Sequence, residues 1–130
     1  MSESLGIVGS GLIACGLAVA SANTGHEVVI RARSDESVAK ATASIEKQCA
    51  RLDNPEQALA LITHTTDLAD LSKCSYVIEA VGEDYAIKNP LAAEIVQHIG
   101  PDTVLASTTS SLSVNKLADA AGIPERFVGF

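Results

Sequence analysis

The stretch Leu5-Gly6-Ile7-Val8-Gly9-Ser10-Gly11-Leu12-Ile13-Ala14 decides how the rest of the chain is read. Its first four residues are an uncharged, mostly apolar run, as expected for a short strand covered on both faces. From Leu12 an alanine-rich run continues to Asn23 and stops at Thr24-Gly25, a glycine signal for the carboxyl end of a helix. Between strand and helix, Gly9-Ser10-Gly11-Leu12-Ile13-Ala14 fits G-x-G-x-x-[GA]. Gly9 permits a sharp exit from the strand. Gly11 lets a pyrophosphate approach the backbone. Ala14 is small enough for the helix to lie close to the sheet. Free N–H groups of Ser10, Gly11, Leu12, Ile13 and Ala14 at a helix start favour a phosphate. A strand before and a helix after distinguish this turn from a plain glycine turn.

The same region imitates a targeting segment. Residues 4–24 carry no charge, and Ala20-Ser21-Ala22 resembles a small-residue cleavage site. The only charged side chain before the run is Glu3, so the basic start of a signal peptide is missing. Gly9-Ser10-Gly11 also breaks the apolar stretch early. Neither a signal peptide nor a membrane span is expected, and the cytoplasm is the expected compartment.

Outward from the turn, short apolar runs alternate with helical stretches. Strands are predicted at 5–8, 27–31, 61–63, 76–80, 103–106 and 127–129. Helices are predicted at 12–23, at 35–52 behind a Ser34 cap, at 91–99 before Gly100-Pro101, and at 114–121 behind a Ser113 cap. A short helical turn is expected at Asn54-Pro55. This is βαβ repetition, and the expected fold is α/β. It is a Rossmann-type, doubly wound, mostly parallel sheet with helices on both faces, and residues 1–130 form one dinucleotide-binding domain.

Composition agrees. The chain has 130 residues, 47% of them hydrophobic, with two Tyr, two Phe and no Trp. Ala, Val, Ile and Leu must therefore fill the core. A net charge of −7 and the lack of any basic run argue against a nucleic-acid surface. Cys15, Cys49 and Cys74 form no C-x-x-C pair, so neither a disulfide framework nor a metal ligand set is read from them.

The second strand carries the next determinant. NAD-specific domains place an acidic residue about 20 positions beyond the glycines, where it binds the adenine ribose. Here that place reads Arg31-Ala32-Arg33-Ser34, with Ala32 at the acidic position. A carboxylate would repel a 2′-phosphate, whereas a guanidinium binds one through charge-assisted hydrogen bonds. NADP is favoured over NAD. The alternative is solvated arginines with NAD bound, Asp35 and Glu36 substituting in part.

Three later segments narrow the reading: Thr65-Thr66-Asp67-Leu68-Ala69-Asp70-Leu71, Tyr76-Val77-Ile78-Glu79-Ala80-Val81-Gly82-Glu83-Asp84, and Leu105-Ala106-Ser107-Thr108-Thr109-Ser110-Ser111-Leu112-Ser113. In order and spacing they resemble the amino-terminal domain of the L-3-hydroxyacyl-CoA dehydrogenases, including the 3-hydroxybutyryl-CoA dehydrogenases. The resemblance covers nearly the whole chain. It implies hydride transfer between the 3-hydroxyl of an acyl-CoA and a nicotinamide, in fatty-acid metabolism. It places Ala80, Val81, Ser107 and Thr108 at the cofactor, Glu83 and Lys88 by the nicotinamide-side ribose, and Ser110 between nicotinamide and substrate as a catalytic residue. Glu83 and Ser110 also fall just past strand carboxyl ends, where open α/β sheets bind ligands.

The chain departs from the family in places. Thr108 stands where Asn is usual, Ala32 where Asp is usual, and Gln48 where a serine contact to CoA is expected. The stretch between the second and third strands is shorter. Pro90 restricts Asn89, so the helix over 91–99 is read as starting at an Asn89 cap with Pro90 first.

The resemblance also implies a general-base histidine soon after the sixth strand and a helical, dimer-forming substrate domain. The chain stops at Phe130, so it is expected to be the dinucleotide-binding part of a homodimeric enzyme, nearly inactive alone. His26, His64 and His98 lie at a turn, on the third strand and near a helix end, away from Ser110. Two alternatives stay open: a stand-alone nucleotide-binding module, and a dehydrogenase of the same plan acting on a sugar acid.

Overall fold

In the computed structural model, residues 4–81, 85–108 and 113–129 are described. Six strands form one parallel sheet: β1 Ser4–Val8, β2 Glu27–Arg31, β3 Ile62–Thr65, β4 Tyr76–Glu79, β5 Val104–Ser107 and β6 Phe127–Gly129. Their spatial order is β3-β2-β1-β4-β5-β6, all neighbours parallel. The winding reverses between β1 and β4, which opens a crevice past the carboxyl ends of those strands.

Five helices connect them: α1 Leu12–Asn23, α2 Asp35–Cys49, α3 Pro55–Ala60, α4 Tyr85–Val96 and α5 Val114–Ala121. Alternation along β1 sends successive side chains to opposite faces. Ile7 joins a core with Ala14, Ala18, Ile30, Ile45 and Cys49, under α1 and α2. Val8 joins a second core with Leu71, Val77, Ile95, Leu105 and Leu117, under α4 and α5. Both faces of the sheet are thus covered, and the apolar strand runs follow from that.

The boundaries of α1 and α5 match the sequence reading. Ser113 accepts a hydrogen bond from Lys116 N–H, and Gly122 ends α5 in the left-handed conformation at φ 78°. Ser34 caps α2 through Ser37 N–H. Helix α2 stops at Cys49 rather than Leu52, because Arg51 and Leu52 turn back onto the Gln48 and Cys49 carbonyls.

Helix α4 needs correction. It starts at Tyr85, and Pro90 lies inside it rather than at its first position. An interior proline costs roughly 3 kcal/mol in an exposed helix. Here Lys88, Ala92 and Ile95 recur at helical spacing and are all buried. That buried stripe draws the segment into the helix well ahead of the proline.

Candidate functional site

The glycine turn sits at the reversal. Gly9 takes φ +138°, and a Cβ there would lie 2.5 Å from the Ala80 carbonyl oxygen. Gly9 N–H bonds the Arg31 carbonyl, and Ala80 N–H bonds the Val8 carbonyl, so the turn is tied to β2 and to the end of β4. Gly11 caps α1 with an extended backbone, and a Cβ there would meet nothing within 4 Å. No side chain caps the helix start. The first-turn N–H groups therefore face the crevice, as a phosphate site requires. Ala14 is fully buried beneath the turn, its methyl 3.6 Å from that position on Gly9.

A cleft of ≈ 980 Å³ opens over this turn. Val8, Gly9, Ser10, Gly11, Leu12 and Ile13 form its floor, and Ala80, Val81 and Thr108 the wall from β4 and β5. Arg31, Arg33 and Ser37 lie at the β2–α2 side, and Ile87, Pro90, Leu91 and Glu94 come from α4. Leu12 is 81% exposed and Ile13 63%, which leaves apolar surface beside the turn. A volume of this size and an apolar lining with few polar groups suit a cofactor.

The arginines differ. Arg31 Nε donates to the Thr66 carbonyl at 3.0 Å, which anchors its guanidinium at the wall. Arg33 is exposed at the rim. Ala32 is buried and Ser34 is a helix cap, so neither lines the cleft. Asp35 and Glu36 do not line it either, and Glu36 pairs with Lys40 at 3.5 Å.

Lys88 and Ser107 were expected at the cofactor, yet the structure places both behind the wall, fully buried. Lys88 Nζ lies 2.5 Å from Glu79 Oε2, and Ser107 Oγ donates to Glu79 Oε1 at 2.8 Å. Glu83 and Ser110 lie outside the described residues. Ser37, Ile87, Leu91, Glu94 and the buried Glu79 went unassigned in the sequence. The signal for Glu79 was a carboxylate closing an apolar strand run. The signal for the α4 residues was hidden by the proline. Among the described residues no group of three or more His, Cys, Asp or Glu could hold a metal ion. None of the described helices is long and apolar enough to cross a membrane.

Comparison with known proteins decides the family. The family model "3-hydroxyacyl-CoA dehydrogenase, NAD binding domain" matches residues 4–130. The chain belongs to this family. It is 37% identical to a probable 3-hydroxybutyryl-CoA dehydrogenase of Deinococcus radiodurans, over 95% of this chain and 47% of that protein. It is 38% identical to a 3-hydroxybutyryl-CoA dehydrogenase of Mycobacterium tuberculosis, over 98% of this chain and 48% of that protein. The crystal structure of (S)-3-hydroxybutyryl-CoA dehydrogenase from Ralstonia eutropha superposes with a TM-score of 0.94 at 34% identity. That match covers 99% of this chain and 48% of the other. The chain thus spans about half the length of the curated relatives it matches.

Proposed function

We propose that this chain is the dinucleotide-binding half of an enzyme that interconverts 3-hydroxyacyl-CoA and 3-oxoacyl-CoA. One observation carries the reading: Gly11 stands open at an uncapped helix start, on the crevice where the sheet reverses. Among the described residues nothing within 4 Å demands a glycine there, and a bound pyrophosphate would.

A nicotinamide dinucleotide supplies hydride chemistry when bound. The chain's residues supply its seat. Gly9 shapes the turn, Gly11 and the first-turn N–H groups of α1 hold the pyrophosphate, and Leu12, Ile13 and Ile87 exclude water. Glu83 accepts ribose hydroxyls, and Ser110 orients the substrate oxygen. Ser110 can both donate and accept a hydrogen bond, which suits an oxygen that alternates between hydroxyl and carbonyl.

The cofactor reading favours NADP. Support comes from Arg31 and Arg33 on the cleft, Ala32 at the acidic position, and Glu36 directed to Lys40. The family description names NAD, which is the alternative. The relatives named above act on 3-hydroxybutyryl-CoA, so a short acyl chain is the substrate of choice. The remaining half of such relatives would add the base and the dimer contact. Cytoplasmic placement is supported by three buried, unpaired cysteines, as in a reducing compartment.

Assaying the protein that carries this chain with acetoacetyl-CoA and NADPH or NADH tests the reading. Dinucleotide oxidation that depends on the CoA ester supports it. Tight dinucleotide binding without oxidation would favour a non-catalytic nucleotide-binding module.

A further inference from the structure

Behind the cleft wall lies a buried polar cluster that the binding model does not use. Glu79 closes β4 and is 2% exposed. Its Oε2 accepts from Lys88 Nζ at 2.5 Å and from Val81 N–H at 2.8 Å, and its Oε1 accepts from Ser107 Oγ. Lys88 Nζ also donates to the Val81 carbonyl at 3.1 Å and lies 3.5 Å from Ser107 Oγ. One ion pair therefore holds both backbone polar groups of Val81. Thr108 is tied to the same strand end, through N–H and Oγ1 bonds to the Glu79 carbonyl at 3.0 and 3.3 Å.

A buried ion pair adds little net stability compared with well-packed apolar side chains of similar volume. An apolar trio could hold β4, β5 and α4 together equally well. It could not fix the Val81 backbone, whose N–H and carbonyl are held by the Glu79 and Lys88 side chains, and Val81 lines the cleft. Fully satisfied buried polar networks specify one arrangement, and here that arrangement is the wall. The cluster belongs to the β4–β5 side of the sheet. The glycine turn and the arginines belong to the β1–β2 side. In a doubly wound sheet these two sides receive the two halves of a dinucleotide.

We propose that Glu79, acting through Lys88 and Ser107, is a positioning residue for the nicotinamide half of the dinucleotide. It holds the Val81 backbone in the cleft wall without touching the ligand. The inference rests on the dinucleotide reading above.

The test compares the reduced dinucleotide with ADP, which occupies only the adenosine half. In E79M both carboxylate acceptors of the cluster are lost, and Lys88 loses its counter-charge. The double variant E79M/K88M removes the stranded ammonium. E79M is expected to melt lower than wild type. The double variant is expected to regain most of that loss. Both are expected to bind the reduced dinucleotide about tenfold more weakly, the equivalent of roughly one lost buried hydrogen bond. Both should hold ADP within about twofold of wild type.

Recovery of dinucleotide affinity together with melting temperature would overturn the proposal. So would ADP affinity falling in step. If neither variant folds, S107A, which keeps the ion pair, decides: selective weakening of the dinucleotide supports the proposal, and unchanged affinity overturns it. Wild-type protein that binds neither ADP nor dinucleotide would instead refute the underlying binding model.

Discussion

A Cβ on Gly9 would stand 2.5 Å from the Ala80 carbonyl oxygen, whereas one on Gly11 would meet none of the described residues within 4 Å. The two glycines of one motif therefore answer to different demands, the first to the fold and the second to a ligand. Gly9→Ala should cost about 1–3 kcal/mol in backbone strain at φ +138° and a further ~1–3 kcal/mol in overpacking. Gly11→Ala should stay within ~1 kcal/mol of wild type, because its extended backbone accepts any residue. Urea unfolding of both variants checks this. A Gly11→Ala protein as unstable as Gly9→Ala would contradict it.

Arg33 is exposed at the cleft rim, whereas Arg31 is held by its bond to the Thr66 carbonyl. A guanidinium bond to a 2′-phosphate is worth about 1.5–3 kcal/mol, so Arg33→Ala should weaken NADPH binding by at least about tenfold. NADH affinity should not move. Calorimetric titration of both cofactors checks the expectation, and equal losses for the two would sink it.

Half-buried His64 on β3 is held below its ordinary pKa of 6.5 by desolvation, with Glu46 opposing from α2. The unfolded chain then takes up this proton before the folded one does. Its contribution to stability is complete above about pH 6.5 and is lost as pH falls through that value toward the lower folded pKa. His64→Asn should flatten this part of the profile. Urea midpoints between neutral and mildly acidic pH measure it, and identical slopes in both proteins would be the contrary result.

Burial raises the pKa of Cys15, Cys49 and Cys74 above 9.0. The thiolate is the reactive form, so all three should resist a disulfide reagent near neutral pH in the folded protein and react when denatured. The stability tied to them is present below about pH 9 and is lost as pH rises further. Rapid labelling of any of the three in the native state would contradict their placement in the core.

Much of the fold is legible because its signals are local. The glycine turn, the Ser34 and Ser113 caps and the Gly122 stop each act within a few residues. They locate α1, the start of α2, and α5. Helix α4 is misread because its cause is not local. Lys88 is drawn under the sheet by Glu79, nine residues back, and Glu79 in turn meets Ser107, twenty-eight residues on. A reading of neighbours sees only Pro90. The same distance effect explains the site. Gly9, Gly11, Arg31 and Arg33 lie on the cleft as read, while Ala32, Ser34, Lys88 and Ser107 are absorbed by packing, capping and the buried cluster.

The most direct measurement is a titration of the folded wild-type chain and its Gly11→Ala variant with NADPH and NADH, following nicotinamide fluorescence. The chain has no tryptophan to interfere. Saturable one-site binding is expected for the wild type, with a dissociation constant in the ~1 μM–1 mM range of enzyme ligands. Gly11→Ala should bind at least about tenfold more weakly with its fold intact. Absence of binding for both dinucleotides, or a Gly11→Ala variant that binds as well as wild type, would contradict the assignment of this cleft.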